Sequence, residues 1–167
     1  MNNIFAMVTM ESSNFYTKFA LKSFFQNTDL DNDDEFFLID NEKKNVNNFS
    51  HYKKIKIIKN NSPLSFAENV NQSLKIAIEN KKNLVFLNND IIFTKNWFNP
   101  IDKISEFISI PVNNQLFGYQ SDCNNLILKA TMKYEDFNEN YNLLNEIVDK
   151  HKKKFRPGQK FQTPLMP

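Results

Sequence analysis

An α/β fold, a mostly parallel sheet flanked by helices, is what this sequence predicts, and three observations carry the prediction. Short apolar runs alternate with helical patterns through the first two-thirds of the chain, as the strands and crossover helices of a parallel sheet do. Polar residues, Thr9, Glu11, Asp40 and Asp90, stand at or just past the ends of those runs. The 167 residues show no break in composition, and 41% hydrophobic with 24% charged residues suits one folded domain burying about 70% of its unfolded surface.

The elements follow in order. Residues 4–8 read as a buried strand. Ser12 or Ser13 can cap the next helix, where Phe15, Phe19 and the run from Leu21 to Phe25 recur at three- to four-residue spacing as far as Gln26. Residues 27–34 form a polar loop, and Glu35–Asp40 is a second strand with Asp40 at its carboxyl end. Residues 54–59 alternate Ile55, Ile57 and Ile58 with lysines, which predicts a third strand near a sheet edge. Past Pro63, Ser65 can cap a helix whose apolar positions are Phe66, Val70, Leu74, Ala77 and Ile78. Asn83–Leu87 is a fourth, apolar strand, and Asn88, Asn89 and Asp90 follow it. After Trp97 the pattern weakens: a helix over 101–108, strands over 116–120 and 126–132, and a long helix over 135–154 precede a Pro-rich tail.

Composition excludes several classes. Net charge is +2, and the run Lys150, Lys152, Lys153, Lys154 and Arg156 reads as a solvated helix end, so no nucleic-acid partner is expected. Cys123 is the lone cysteine, which leaves no disulfide framework and no Cys-rich zinc site and suits a reducing compartment. His51 and His151 have no partner at metal-ligand spacing and read as surface residues. No segment approaches the roughly 18 apolar residues of a transmembrane span, so the expected location is cytoplasmic, peripheral association with the inner membrane face included. Asn, Lys, Ile and Phe are abundant, as in proteins from AT-rich genomes, which lowers the weight of any single Asn or Lys. Gly occurs only twice, and neither GxGxxG nor GxxxxGK[ST] is present. Phosphates, if bound, fall to a metal ion or to helix amino ends.

In open α/β sheets ligands collect outside the carboxyl ends of the strands. Asp90 is suited there to a divalent cation that bridges the oxygens of a diphosphate and offsets the charge of its departure. Asn88-Asn89-Asp90 also has the composition of a plain turn, because Asn and Asp accept turn geometry readily, and the residues alone leave both readings open.

One block of the chain resembles a known family. The run Phe66-Ala67-Glu68-Asn69-Val70-Asn71-Gln72-Ser73-Leu74, then Ala77, then Leu84-Val85-Phe86-Leu87-Asn88-Asn89-Asp90-Ile91, then Trp97, is similar in order and spacing to the central block of family 2 glycosyltransferases. Val8-Thr9, Ala20-Leu21-Lys22-Ser23-Phe24 and Phe37-Leu38-Ile39-Asp40-Asn41 extend the resemblance over residues 4–100. It implies a GT-A, Rossmann-like fold in which residues 1–100 form the nucleotide-sugar-binding core. Residues 101–167 would then be the start of an acceptor-side region that stops about where acceptor binding would begin. By the same resemblance Thr9 and Asp40 contact the base and Asn71 orders the donor pocket; Glu11, on the rim where the strands end, is expected among the donor-binding residues. Asp90 binds Mg²⁺ or Mn²⁺ and the diphosphate, with Asn88 beside it. The implied activity is inverting transfer of a sugar from a UDP, GDP or dTDP sugar to a glycan or lipid-linked acceptor in polysaccharide biosynthesis.

The chain departs from that pattern in places. Asn88 stands where many members have Asp, which leaves one carboxylate and predicts low metal affinity without donor. Ser65 and Glu42 replace residues that relatives use around the phosphates and base. No general base is identified, since Glu135 and Asp136 read as charges at a helix amino end. The competing readings are a non-catalytic module of the same fold that binds a nucleotide sugar or a protein, and a nucleotidyltransferase. The absence of a Gly-rich basic loop counts against the latter.

Overall fold

The computed structural model describes residues 2–44 and 46–99, together with residue 146. Four strands, β1 (Asn3–Thr9), β2 (Glu35–Asp40), β3 (Ile55–Lys59) and β4 (Asn83–Leu87), form one sheet in the order β3-β2-β1-β4, with every pair parallel. The helices between them are α1 (Asn14–Asn27), entered through a 3₁₀ turn at Glu11–Ser13, the short α2 (Val46–Phe49) and α3 (Phe66–Glu79). The expected parallel α/β architecture is therefore present. Two compact units divide the chain, Met1–Phe93 and Thr94–Pro167. The elements expected over 101–108, 116–120, 126–132 and 135–154 lie outside the described residues, apart from residue 146, which is helical. Among the described residues no helix is long and apolar enough to cross a membrane.

Hydrophobic run length explains the strand order. In β1 every residue except the half-buried Val8 is buried, as suits a strand with neighbours on both sides and helices on both faces. β3, with its alternating lysines, is half-buried and stands at one margin of the described sheet, as its composition predicts. β4 reads as fully apolar, yet only Leu87 is buried, because β4 lies at the opposite margin of the described strands.

Alternation along the strands divides the core. Phe5 and Phe36, paired in register, both meet Phe24 of α1 edge-on, with ring centroids at 5.2 and 4.8 Å. Phe93 closes on the same ring at 5.4 Å, and Phe25 stacks on Tyr52 at 5.3 Å. Ser23 fastens this layer: its hydroxyl donates to the Ala20 carbonyl and accepts from the Phe93 amide, both at 3.0 Å. At the amino end of the sheet, Glu35 accepts from Lys56 and from Lys82 Nζ, the latter at 2.6 Å, and these hydrogen bonds, that from Lys56 first, hold its carboxyl below the usual range.

Two helix starts and one helix face need comment. Ser65 caps α3 as expected, in a capping box in which its hydroxyl accepts from the Glu68 amide at 3.3 Å and the Glu68 carboxylate accepts from the Ser65 amide at 2.8 Å. Ser13 occupies the cap position of α1 but makes no side-chain cap bond. Its hydroxyl turns back to Met10 instead, where the 3₁₀ turn already supplies the carbonyl and amide. The apolar positions of α3 differ most from expectation. Asn69, Ser73 and Ala77 are buried, whereas Phe66, Leu74 and Ile78 are 68%, 43% and 66% exposed. The buried face, Asn69, Ser73 and Ala77, is thus rolled about a quarter turn from the stripe of Phe66, Val70, Leu74 and Ile78.

α3 ends in a Schellman motif, with the Lys82 amide donating to the Ala77 carbonyl at 2.9 Å and the Lys81 amide to the Ile78 carbonyl at 3.0 Å. Lys81, with φ of 54°, takes the left-handed position that glycine usually fills. A chain with so few glycines places a lysine there.

Candidate functional site

The carboxyl ends of β1 and β4 open onto a cavity of about 240 Å³. β1 and the residues after it supply Val8, Met10 and Ser13; β4 and its following loop supply Phe86, Leu87, Asn88 and Asn89. The third side is Asn41, which follows β2, with Leu64, Phe66 and Asn69 from the approach to α3 and its first turns. The lining is thus apolar at the sheet and edged with amides and one hydroxyl, a composition suited to a planar polar ligand. A larger cavity of about 490 Å³ lies beside α1, between Phe15, Lys18, Phe49 and Tyr52, and none of the sequence-predicted site residues lines it.

The rim positions those residues unequally. Thr9 and Asp40 end adjacent strands in direct register. Thr9 is buried, with its hydroxyl 2.9 Å from that of Thr17 and 3.5 Å from Asn14 Oδ1. Asp40 is buried and accepts from the Glu42 amide at 3.3 Å, a local turn bond. Glu11 is exposed; its amide donates to Glu42 Oε2 and its carboxylate accepts from Lys44 Nζ, both at 2.8 Å. The hydrogen bond to Glu11 is the first cause of the upward push on the Lys44 ammonium. Among the predicted residues, Asn88 alone lines the cavity at the strand ends; Asp90 is exposed in the turn that follows it. Asn71 is exposed on α3, away from the cavity lining, while Asn69, two residues earlier, is buried in its wall.

At residues 88–90 a turn borders the cavity. Asn89 and Asp90 adopt a turn, and Asn89 Nδ2 donates to Ser13 Oγ at 2.8 Å and to Thr17 Oγ1 at 3.0 Å. Those bonds brace the loop against the start of α1. Asn89 was not singled out from sequence, because the motif directs attention to its neighbours on either side. Asn41, Asn60 and Asn69 are given no role by the sequence for another reason: asparagine is common here and each sits in a loop or under an apolar helical pattern. The stripe Asn69, Ser73, Ala77 at four-residue spacing was the available signal.

The donor set for a metal is spare. Among the described residues there is no group of three or more His, Cys, Asp and Glu able to hold a metal ion. The rim offers the exposed Asp90 carboxylate and the nearby Asn88 amide, both oxygen donors of the kind Mg²⁺ and Mn²⁺ accept. Such a set suits a cation whose other ligands are phosphate oxygens and water.

No family model matches the chain, and no curated protein matches it. Two solved structures show backbone similarity. One is described as the crystal structure of S. aureus TarS 1-349, with 14% identity and a TM-score of 0.48, covering 70% of this chain and 40% of that one. The other is described as the crystal structure of S. aureus TarS, with 16% identity and a TM-score of 0.45, covering 68% of this chain and 23% of that one. The chain therefore spans less than half the length of either.

Proposed function

We propose that this chain is the donor-binding α/β unit of a family 2 type glycosyltransferase of the GT-A fold, transferring a sugar with inversion from a nucleotide-diphosphate sugar to a glycan or lipid-linked acceptor. The observation that carries the reading is the cavity at the carboxyl ends of β1 and β4, edged by Asn88 and adjoining Asp90. It lies where the parallel topology makes loops converge and where the sequence resemblance expects a donor.

In this reading the nucleotide occupies the amide-edged cavity, and Thr9, Glu11 and Asp40 form the rim beside its base. Asn88 and Asp90 hold Mg²⁺ or Mn²⁺ together with the diphosphate. The cation supplies charge stabilisation for the departing diphosphate. Asn89 keeps the loop in place through Ser13 and Thr17, so that the Asp90 carboxylate is presented without reorganisation. The general base that takes the acceptor proton is assigned to no residue. A single carboxylate where many members have two favours, as a second reading, a module of this fold that binds a nucleotide sugar and catalyses nothing.

Calorimetric titration of UDP, GDP and dTDP, with and without Mn²⁺, tests the proposal on this chain and on Asp90→Ala. The expected result is metal-dependent binding of one nucleotide, weakened about tenfold or more by Asp90→Ala. A folded chain that binds none of the three sinks the donor-site reading. Nucleotide binding without sugar release, in the presence of candidate acceptors, favours the module.

A further inference from the structure

Three asparagines from three separate elements meet in a buried knot behind the cavity. Asn41 follows β2, Asn60 follows β3 and Asn69 lies in the first turn of α3, and each is less than 5% exposed. Asn60 Nδ2 donates to Asn41 Oδ1 at 2.8 Å and to Asn69 Oδ1 at 2.9 Å. Asn41 takes the Leu64 amide on its oxygen at 2.9 Å and gives its Nδ2 to the Leu64 carbonyl at 3.0 Å. Asn69 Nδ2 reaches the Leu64 and Ser65 carbonyls at 3.1 and 2.9 Å.

Backbone groups remove any ambiguity in which way these amides point. An N–H only donates and a carbonyl only accepts, so Leu64 fixes the orientation of Asn41, and Leu64 with Ser65 fixes that of Asn69. Both then turn their oxygens toward Asn60, which must supply two N–H donors at once. A carboxylate cannot do this, and a hydroxyl can satisfy only one of the pair. Asn41, Leu64 and Asn69 line the cavity, whereas Asn60 does not.

We propose that Asn60 is a positioning residue for the donor site, acting through Asn41 and Asn69 to hold the Leu64 segment as a preformed cavity wall. The inference rests on the nucleotide reading of that cavity. Without the two Asn60 bonds, the Asn69 oxygen loses its partner in the knot and Asn41 Oδ1 keeps only the Leu64 amide at 2.9 Å and Asn69 Nδ2 at 3.3 Å, so the wall must be ordered by the ligand at the moment of binding.

The test compares Asn60→Asp and Asn60→Ser with Ser23→Ala in the full chain. Ser23→Ala removes a buried hydroxyl bridge in the α1 layer, and Ser23 does not line the cavity. The titrant is whichever of UDP, GDP and dTDP the parent binds with Mn²⁺, and the readouts are Kd, Tm and hydrogen exchange at the Leu64 amide. The expected result is Kd raised about tenfold or more, with faster Leu64 exchange, in both Asn60 variants, and Kd within about twofold of the parent in Ser23→Ala despite a lowered Tm. If Asn60→Asp does not fold, Asn60→Ser decides. Parent-like Kd in a folded Asn60 variant, or an equal loss in Ser23→Ala, overturns the positioning role and leaves the donor site standing. A parent chain that binds no nucleotide overturns both.

Discussion

The two faces of the sheet are built on different principles. Beneath α1, Phe5, Phe24, Phe25, Phe36, Tyr52 and Phe93 interlock edge-to-face and by stacking, and this layer contributes most of the large apolar burial. On α3 the buried residues are Asn69, Ser73 and Ala77, while the bulkier Phe66, Leu74 and Ile78 are largely exposed, Phe66 meeting only the Phe86 ring of β4 among the described rings, at 5.5 Å. The difference teaches where stability and site construction reside. Aromatic packing can secure a helix but fills the space between helix and sheet. On α3 a buried polar side chain, Asn69, bonds Asn41, Asn60 and Leu64 in the loops that follow the strands, and so helps build the cavity wall.

Breaking the aromatic layer has the largest expected effect. Phe24→Ala removes the ring at its centre and should cost about 3–5 kcal/mol in urea unfolding, with an unchanged m-value. Ser73→Leu tests the closeness of α3: at a buried helix–sheet contact the added bulk should cost about 1–3 kcal/mol, whereas an effect near zero would mean that α3 is loosely seated. Lys81→Gly sharpens the comparison in the opposite sense. It relieves the left-handed lysine at the end of α3 and should stabilise by about 0.5–1 kcal/mol, seen as a raised midpoint. Ile78→Ser should move stability least, by about 0.5 kcal/mol or less, because that side chain is mostly exposed.

These contrasts also show how far the sequence could be read. Glu35–Asp40 was legible residue for residue, since a run of apolar residues closed by Asp and flanked by polar loops admits little else. Ser65 was legible because a cap followed three residues later by Glu68 is a local signature. The orientation of α3 was not. Periodicity locates an apolar stripe, but which stripe faces the sheet depends on how near the helix can come, and that is decided by residues 69, 73 and 77 acting together. The same limit explains the site. Thr9, Asp40, Asn88 and Asp90 fall at strand ends that the pattern reveals, while the knot of Asn41, Asn60 and Asn69 joins positions up to 28 residues apart through side-chain amides alone. No local pattern encodes such a meeting.

The strand order has a consequence in time as well as in space. β1 is paired on one side by β2 and on the other by β4, and the Asn3–Asn83 contact closes a separation of 80 residues. At ribosomal rates of about 5–20 residues per second, the partner for that side of β1 is made about 4–16 s after β1 itself. Through that interval a run of seven mostly apolar residues has β2 as its early partner and an open backbone ladder on its other side. The nascent chain thus carries its most buried strand as its most adhesive one, and the cavity between β1 and β4 can form only when that side is closed.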